Sequence, residues 1–275
     1  MISIITVCFN EEQNIERTMR AVLNQTCQDY EYIICDGGSS DNTLQIIERL
    51  IPEFENRGIS VSLTSKKDGG IYYGMNEGID IAKGEYILFA NAGDCLYDDN
   101  VVSAFVSALK EEKPDVIYGD CVLVERMVEK QCICSHDGLQ DDMTICHPAV
   151  MVSTDIMKKR KFDVSYKVAA DYEYLLYLYN KRVLFKHIDK NIAYFFHGGV
   201  CTFNFDASIK ERCSIWDKYN IPYDSKKQLL KIKKEAFALK IKNCIPLKLW
   251  IFLNVSIRKR KKYDNKILSE NKEIV

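Results

Sequence analysis

Glycine and proline are scarce in this chain, with 13 and 5 occurrences among 275 residues. Long disordered segments are therefore not expected. No stretch repeats with a period of about 20–50 residues and no low-complexity tract is present, so a repeat architecture is not predicted. Because 47% of the residues are hydrophobic, the chain can form one large domain with a buried core, alone or with an appendage.

The N-terminal stretch ISIITVCF lacks a basic region and a cleavage site, so it predicts no secretory signal. We therefore expect the 11 cysteines to stay reduced and to act mostly as small buried hydrophobic side chains. One cluster of possible metal ligands comprises Cys132, Cys134, His136, Cys146 and His147. Its spacing is not a standard zinc pattern, so alternation along a strand is favoured over a structural zinc site.

Charge is nearly balanced overall, with a formal net charge of −1, but it is unevenly distributed. Residues 226–275 contain 15 Lys and Arg against 4 Asp and Glu, whereas residues 1–225 contain 23 against 35. This distribution indicates an acidic globular body that carries a basic tail.

Apolar runs alternate with segments of helical spacing through the first hundred residues. This alternation predicts a parallel sheet covered by helices on both faces. The predicted strands are Ile2–Val7, Glu31–Cys35, Ile59–Thr64 and Glu85–Asn91, and the predicted helices are Glu11–Asn24, Thr43–Leu50 and Ile71–Ala82.

The pattern from about residue 100 onwards is more mixed. The predicted helices there are Val101–Leu109, Ser153–Lys161 and Asp171–Asn180, and the predicted strands are Asp115–Val124 and Leu184–Phe196. After Asp206 the spacing is helical throughout, which predicts a helical C-terminal extension.

Three aspartates follow predicted strands at the edge where ligands of parallel sheets bind. Asp36 and Asp68 each precede a pair of glycines, which lets a ligand approach the backbone closely, and Asp94 follows the fourth strand. Taken alone, each is also consistent with a turn carboxylate. Together they form an acidic pocket whose charges would repel each other unless a divalent cation, Mg²⁺ or Mn²⁺, linked them to a diphosphate.

Four stretches in order resemble the successive signatures of glycosyltransferase family 2: ISIITVCFN, YIICDGGSSDNT, SKKDGGIYYGMNEGIDIAKGEYILFANAGD and ADYEYLLYLY. Within this family, the chain most resembles the bacterial enzymes that build surface polysaccharides such as O-antigen, capsule or exopolysaccharide. The resemblance implies a GT-A fold, an α/β architecture with a Rossmann-like, mostly parallel sheet flanked by helices. It implies a catalytic domain over residues 1–205, with a nucleotide-sugar half to about residue 100 and an acceptor half beyond it. A basic helical extension would occupy residues 206–275.

The resemblance also implies which residues bind the donor. Asp36 matches the acid that holds uracil and ribose, Asp68 matches a second acid at the nucleoside, and Asn10 follows the first strand at the same site. Asn91 and Asp94 fall on the D-x-D metal motif. Because Asn91 stands where the first Asp often is, Asp94 would be the main ligand of Mn²⁺ or Mg²⁺.

Asp171, in AADYEY, matches the catalytic carboxylate of the family and would remove the proton of the acceptor hydroxyl. A helix N-cap is the alternative for Asp171, and Glu173 is the alternative base and a candidate substrate contact. His147 matches a histidine near the acceptor, and His197 lies where some GT-A enzymes place a further metal or phosphate contact. A purely structural role is nearly as well supported for either histidine.

The basic tail reads PLKLWIFLNVSIRKRKKY from Pro246 to Tyr263. Its apolar part, Leu247–Ile257, is far shorter than the roughly 20 residues of a spanning helix, and Arg258–Lys262 follows it. This composition favours an interfacial helix, anchored through Trp250, on an anionic membrane, which would place the protein in the cytoplasm at the inner face of the membrane. A helix packed on the catalytic domain is the alternative, and a nucleic-acid partner is not expected.

These observations favour an inverting enzyme that moves a sugar from a UDP-sugar to a hydroxyl of a lipid-linked saccharide. An NAD(P)-dependent oxidoreductase is disfavoured, because VCFNEEQN after the first strand has none of the glycines of a dinucleotide fingerprint. A non-catalytic sugar-nucleotide or membrane-binding module is the remaining alternative. The presence of Asp36, Asp94 and Asp171 argues against it.

Overall fold

A computed structural model of the protein describes residues 1–125, 127–196 and 205–224, together with positions 230, 234, 241, 245, 246 and 250. Nine strands form one sheet within this part of the chain. They are β1 (Ile2–Cys8), β2 (Tyr30–Asp36), β3 (Val61–Ser65), β4 (Tyr86–Phe89), β5 (Cys95–Leu96), β6 (Val116–Glu125), β7 (Val128–Cys132), β8 (Val150–Ser153) and β9 (Phe185–Phe196).

Seven α-helices and two short 3₁₀ helices lie within residues 1–125, 127–196 and 205–224. The α-helices are α1 (Ile15–Leu23), α2 (Thr43–Glu55), α3 (Ile71–Ile81), α4 (Val101–Glu111), α5 (Thr154–Lys159), α6 (Ala170–Asn180) and α7 (Phe205–Lys218), and the 3₁₀ helices are His136–Gly138 and His147–Ala149.

The first four strands form the parallel arrangement that the sequence predicts. Their spatial order is β3-β2-β1-β4, and all three pairings between them are parallel. One core joins α1, α2 and α4 to one face of the sheet, and a second joins α3 and α6 to the other. The predicted sheet with helices on both faces is therefore confirmed, and the carboxyl ends of four neighbouring strands lie side by side.

Helix α2 is longer than predicted, because it continues through Pro52 to Glu55. A proline inside a helix removes one backbone hydrogen bond and costs about 3 kcal/mol. Phe54 is fully buried and stacks on Tyr32 with ring centroids 4.8 Å apart. Burial of a phenylalanine contributes about 1.5–3 kcal/mol, and an aromatic pair adds about 0.5–1.5 kcal/mol. This packing offsets the proline.

The second half of the sheet is mixed. Strand β8, which the sequence did not predict, lies antiparallel between β4 and β6. Its four residues, VMVS, are too few to show a periodicity. Strands β6 and β9 pair in parallel, whereas β7 with β6 and β5 with β9 are antiparallel.

Helix α7, the first part of the predicted C-terminal extension, packs against the catalytic region. The Trp216 indole N–H donates to the Tyr172 hydroxyl at 2.8 Å, and the Glu211 carboxylate accepts the backbone N–H groups of residues 167–169 just before α6. Residues 221–224 are not helical, so the prediction of continuous helix after Asp206 is wrong there.

Trp250, predicted to insert into a membrane interface, is only 8% exposed. Its ring is therefore covered by protein, which contradicts that prediction for this residue. Arg258–Lys262 lie outside the described residues. Among the positions that are described, no helix is both long and apolar enough to cross a membrane.

Candidate active site

Asp36 closes strand β2 with a buried carboxylate, 3% exposed. This carboxylate accepts hydrogen bonds from the Ser65 hydroxyl at 2.7 Å, from the Ser39 hydroxyl at 2.5 Å and from the backbone N–H groups of Gly38 and Ser39. Burial acts to raise the pKa of Asp36, but the hydrogen bonds from Ser39 and Ser65 outweigh it and lower the pKa. The carboxylate is therefore held ionised at the end of the strand.

Asn10 connects the first two strand ends. Its backbone is left-handed, with φ of 54°, and its amide oxygen accepts the Ser40 N–H at 2.8 Å. Its own N–H donates to the Ser39 hydroxyl at 2.8 Å. Asn10 thus holds the loop that orients Asp36, and a direct contact of Asn10 with the donor stays a prediction.

Asp68 lies against the same loop, as the sequence predicted. A Cβ atom on Gly37 would be 3.4 Å from Asp68 Oδ1 and 3.4 Å from the Phe9 ring, so both side chains border this glycine. Phe9 itself is 59% exposed, which is unusual for a large aromatic side chain. The structure therefore brings together two carboxylates and an exposed ring, and the ring had no distinct signal in the sequence.

The loop after β4 carries Asn91 and Asp94. It is closed by the Asp94 N–H, which donates to the Asn91 carbonyl at 2.9 Å, and Gly93 adopts φ of 101°. Burial raises the pKa of Asp94 to about 7, although the nearby Arg17 guanidinium opposes this shift. The Asn91 side-chain oxygen is buried and has no hydrogen-bond partner among the described residues.

These two residues fit a hard divalent cation. Such a cation prefers oxygen ligands, and Asn91 offers an unsatisfied amide oxygen while Asp94 offers a carboxylate whose charge is poorly compensated. His197, the other predicted metal contact, lies outside the described residues.

Helix α1 pins this loop through two side chains that the sequence analysis missed. Arg17 Nη2 donates to the Gly93 carbonyl at 3.0 Å, and its guanidinium lies 4.0 Å from the centroid of the Phe196 ring. The Thr18 hydroxyl donates to the Asp94 carbonyl at 2.7 Å and accepts the Gly93 N–H at 3.1 Å. Arg17 therefore places a positive charge beside Asp94.

Asp171 lies in the first turn of α6, whose N-cap is Ala169, so the alternative that Asp171 is the N-cap is wrong. Its Oδ1 accepts the Tyr72 hydroxyl at 3.0 Å and the Tyr172 N–H at 2.9 Å. Its Oδ2 accepts no hydrogen bond from the described residues. One oxygen is thus fixed in place and the other remains able to take a proton.

His147 lines the same apolar cavity as Asp171. Its ring packs against Phe89 and Phe162, with centroids 5.3 Å and 6.0 Å away. Burial lowers the pKa of His147, and the negative charge of Asp171 partly opposes this. His147 is therefore a neutral imidazole that lines the same cavity as Asp171, and its contact with an acceptor stays a prediction.

Known proteins resemble this chain in sequence. A sequence profile described as glycosyl transferase family 2 matches residues 3–131. A PGL/p-HBAD biosynthesis glycosyltransferase of Mycobacterium tuberculosis is 30% identical over 176 residues, which is 63% of this chain and 68% of the relative. The chain belongs to glycosyltransferase family 2. This assignment makes the protein a glycosyltransferase, as the sequence motifs predicted.

Solved structures show the fold of this glycosyltransferase. Staphylococcus aureus TarS 1–349 in complex with UDP-GlcNAc superposes with a TM-score of 0.63 at 18% identity, over 82% of this chain and 69% of the 1–349 fragment. The mannosyltransferase PcManGT from Pyrobaculum calidifontis, in complex with GDP-Man and Mn²⁺, superposes with a TM-score of 0.63 at 10% identity, over 93% of this chain and 79% of that one. The predicted GT-A architecture is confirmed.

Glu173 does not belong to the substrate site of the glycosyltransferase. It is fully buried and accepts both a two-point contact from Arg160 Nη2, at 2.6 and 2.7 Å, and hydrogen bonds from Lys218 and Tyr219 at 2.9 and 2.7 Å. Two residues along a helix correspond to about 200°, so Glu173 points away from the face that carries Asp171. The prediction of a substrate contact at Glu173 is wrong, because this carboxylate anchors Arg160, directly after α5, and the end of α7.

The five cysteines and histidines that the sequence analysis weighed, and disfavoured, as a zinc site do not all come together, because the two histidines lie apart from the cysteines. His136 Nδ1 lies 2.8 Å from the Tyr118 hydroxyl, and His147 lies at the Asp171 cavity. The structure joins Cys121 to Cys146 by a disulfide, so the prediction of reduced thiols is wrong for this pair. Their Cα atoms are 6.6 Å apart, within bridging distance, through a fold-level proximity that their spacing of 25 residues does not reveal.

Proposed function

We propose that this glycosyltransferase moves a sugar from a UDP-sugar to a hydroxyl of a lipid-linked saccharide in surface polysaccharide synthesis. The configuration at the anomeric carbon of the sugar is inverted in this transfer. The proposal is carried by one observation. In the parallel order β3-β2-β1-β4, Asp68 follows β3, Asp36 ends β2 and Asp94 follows β4, so all three lie at the same edge of the sheet. Three acidic groups at one sheet edge suit a nucleotide diphosphate with its cation.

The nucleoside would bind between the first two strand ends. The ionised Asp36 can accept hydrogen bonds from a base N–H or ribose hydroxyls, and Asp68 stands across Gly37 from it. The exposed ring of Phe9 borders Gly37 and offers a face on which a base can stack. The UDP-GlcNAc complex of the structurally similar TarS supports a uridine nucleotide.

Asp94 and the Asn91 side-chain oxygen would hold Mn²⁺ or Mg²⁺, as the Mn²⁺ complexes of structural neighbours support. Such an ion, when bound, neutralises the diphosphate that leaves the sugar. Arg17 adds a fixed positive charge beside Asp94. We expect this charge to help hold the diphosphate leaving group. Such help suits a metal motif in which Asn91 replaces one of the two aspartates.

Asp171 would act as the general base of a single displacement. Its free Oδ2 would accept the proton of the acceptor hydroxyl, while the Tyr72 hydroxyl stabilises the ionised form through Oδ1. Neutral His147 brings no positive charge that would compete for this carboxylate.

The acceptor is proposed to be lipid-linked, and residues 206–275 to form a C-terminal extension to a catalytic domain over residues 1–205. The run Arg258–Lys262 supports contact with an anionic inner membrane face, because each basic residue near such a surface is worth on the order of 1 kcal/mol. Replacing these five residues by Gln should abolish co-sedimentation with anionic vesicles at low salt. Unchanged binding would move membrane contact elsewhere.

The donor can be tested by thermal unfolding with a panel of UDP-sugars and GDP-mannose, with and without Mn²⁺. A ligand at 100 times its dissociation constant stabilises by about 2.7 kcal/mol. We expect one UDP-sugar to stabilise most, only with Mn²⁺, and Asp36→Ala to remove the effect. A preference for GDP-mannose would contradict the proposal that the donor carries a uridine nucleotide. Stabilisation without any release of UDP in the presence of acceptor would instead indicate a non-catalytic binding module.

A further inference from the structure

Three cysteine sulfurs from separate segments meet inside the acceptor half. Cys121 belongs to β6, Cys134 follows β7, and Cys146 immediately precedes the 3₁₀ helix at His147. Their sulfur atoms all lie within 4.8 Å of one another. Cys121 is fully buried, Cys134 is 5% exposed and Cys146 is half-buried, so the protein covers most of the group.

The surroundings of these sulfurs are polar as well as buried. The backbone N–H of Cys146 donates to Cys134 Sγ at 3.5 Å. Asp120 Oδ1 accepts the Cys134 N–H at 2.9 Å and places a negative charge close by. A thiolate formed in this buried setting, beside a carboxylate, would need a cation as its partner.

A fourth cysteine lies on the neighbouring strand, although its Sγ is not among the three that lie within 4.8 Å of one another and donates to the Lys130 carbonyl at 3.8 Å. Cys132 is opposite Cys121 in the β6–β7 register, and cross-strand partners place their Cβ atoms about 4.5–5.5 Å apart. Tetrahedral zinc binds thiolate sulfur at about 2.3 Å, which puts neighbouring sulfurs about 3.8 Å apart. The spacing of the three central sulfurs is compatible with that arrangement after small side-chain movements.

We propose that the reduced protein binds one structural Zn²⁺ through Cys121, Cys134 and Cys146, with Cys132 as the fourth ligand. Reduction of the Cys121–Cys146 bond takes two electrons and two protons from a dithiol or phosphine reductant and yields two thiols. Zinc then displaces the thiol protons. The site differs from the one weighed from the sequence, because Cys121 replaces both histidines as a ligand.

The zinc would tie the β6–β7 hairpin to the segment that ends at His147. Cys146 is the residue next to His147, whose ring packs at the Asp171 cavity. The metal would thus fix one wall of that cavity. This inference does not depend on the proposed transfer reaction, since it rests on the sulfur cluster alone.

The test uses full-length protein that is reduced with a phosphine under anaerobic conditions, stripped with a chelator and titrated with Cd²⁺ as an absorbing substitute for zinc. We expect one equivalent to produce the ultraviolet absorption of cadmium–thiolate bonds, and Zn²⁺ to displace it. Cys134→Ser should weaken binding by more than the roughly 10–100-fold that loss of an indirect metal partner causes. Cys27→Ser, a change outside the cluster, should leave it unaltered.

A second measurement on the wild-type protein decides the matter if Cys134→Ser fails to fold. Zn²⁺ should slow alkylation of Cys134 and Cys146, mapped by peptide mass spectrometry, and should leave the rate at Cys27 unchanged. Absence of stoichiometric binding by the reduced protein would overturn the site. Protection of Cys27 equal to that of Cys134 and Cys146 would also overturn it, as would unweakened binding by a folded Cys134→Ser variant.

Discussion

The two halves of the protein present the carboxylates of the candidate site in different ways. In the first half, Asp36, Asp68 and Asp94 each follow a strand, and the parallel order brings those strand ends together. In the second half, Asp171 and Glu173 lie in the first turn of one helix, and packing alone separates their roles. A position after a parallel strand indicates a ligand site directly, whereas a position on a helix acquires its meaning from what surrounds it.

The largest expected effect is on the helix side of this comparison. Asp171→Asn removes the proposed base while keeping the acceptor for the Tyr72 hydroxyl. Turnover should fall by roughly 10²–10⁴-fold, as is typical for loss of acid–base catalysis, and the dissociation constant of the UDP-sugar should stay the same. Steady-state kinetics and calorimetric titration check this. Weakened donor binding with an intact transfer rate would place Asp171 in the donor site.

Glu173→Gln should show the opposite pattern two residues further along the same helix. Arg160 and Lys218 would lose their shared carboxylate in a buried setting, so we expect the free energy of unfolding to fall by about 3 kcal/mol. Urea unfolding measures this, and activity per folded molecule should remain close to wild type. If turnover disappears with no loss of stability, the two carboxylates have exchanged roles.

Sequence periodicity could not separate these two carboxylates. Helix α6 is buried around most of its circumference, at Ala170, Tyr172–Leu176 and Leu178, so its sequence shows no polar stripe. The partners of Glu173 come from α7 and the segments around Arg160, through tertiary contacts. The role of Asp171 was predicted only through resemblance to a family, and the structure adds the Tyr72 contact that supports it.

The parallel strands, by contrast, were predicted nearly to their ends. Apolar runs with β-branched residues predicted β1 and β2. The alternation of strands and helices predicted the edge of the sheet at which Asp36 and Asp94 lie. What the sequence could not reveal were contacts across long separations. Arg17 reaches Gly93, 76 residues away, from a helix whose spacing shows only which face is apolar.

An intermediate effect is expected from Tyr72→Phe, which removes the hydroxyl that donates a hydrogen bond to Asp171 Oδ1. Loss of a hydrogen bond to a charged group costs about 1.5 kcal/mol, which corresponds to roughly tenfold in kcat. The acidic limb of the pH–rate profile should move to higher pH, because the ionised carboxylate loses a stabilising donor. The KM for the UDP-sugar should not change.

Tyr174→Phe is the matched control, because the Tyr174 hydroxyl is buried without a partner in the described part of the chain. Its removal should leave the pH–rate profile in place. A Tyr72→Phe variant with lower stability but an unshifted profile would make Tyr72 a packing residue.

The smallest effect concerns the pH dependence of stability in the strand-end site. The pKa of Asp94 is raised to about 7 in the folded protein, whereas an unfolded aspartate titrates near 4. Between these values the folded state binds more protons than the unfolded state, so without metal this group makes stability fall as pH rises from about 4 to 7. Asp94→Asn should remove that component, and Asp99→Asn, an exposed change nearby, should not.

Metal should act on the same group with the opposite sign. Mn²⁺ binds the ionised carboxylate, so its stabilising effect should be greater at pH 8 than at pH 5.5, and it should be much weaker in Asp94→Asn. Melting temperatures across this pH range, with and without Mn²⁺, measure both effects. An equal response to Mn²⁺ in the wild type and in Asp94→Asn would mean that the cation binds elsewhere. The burial of Asp94 would then keep it protonated as a neutral part of the loop, and Arg17 would be left as the positive charge available to the diphosphate.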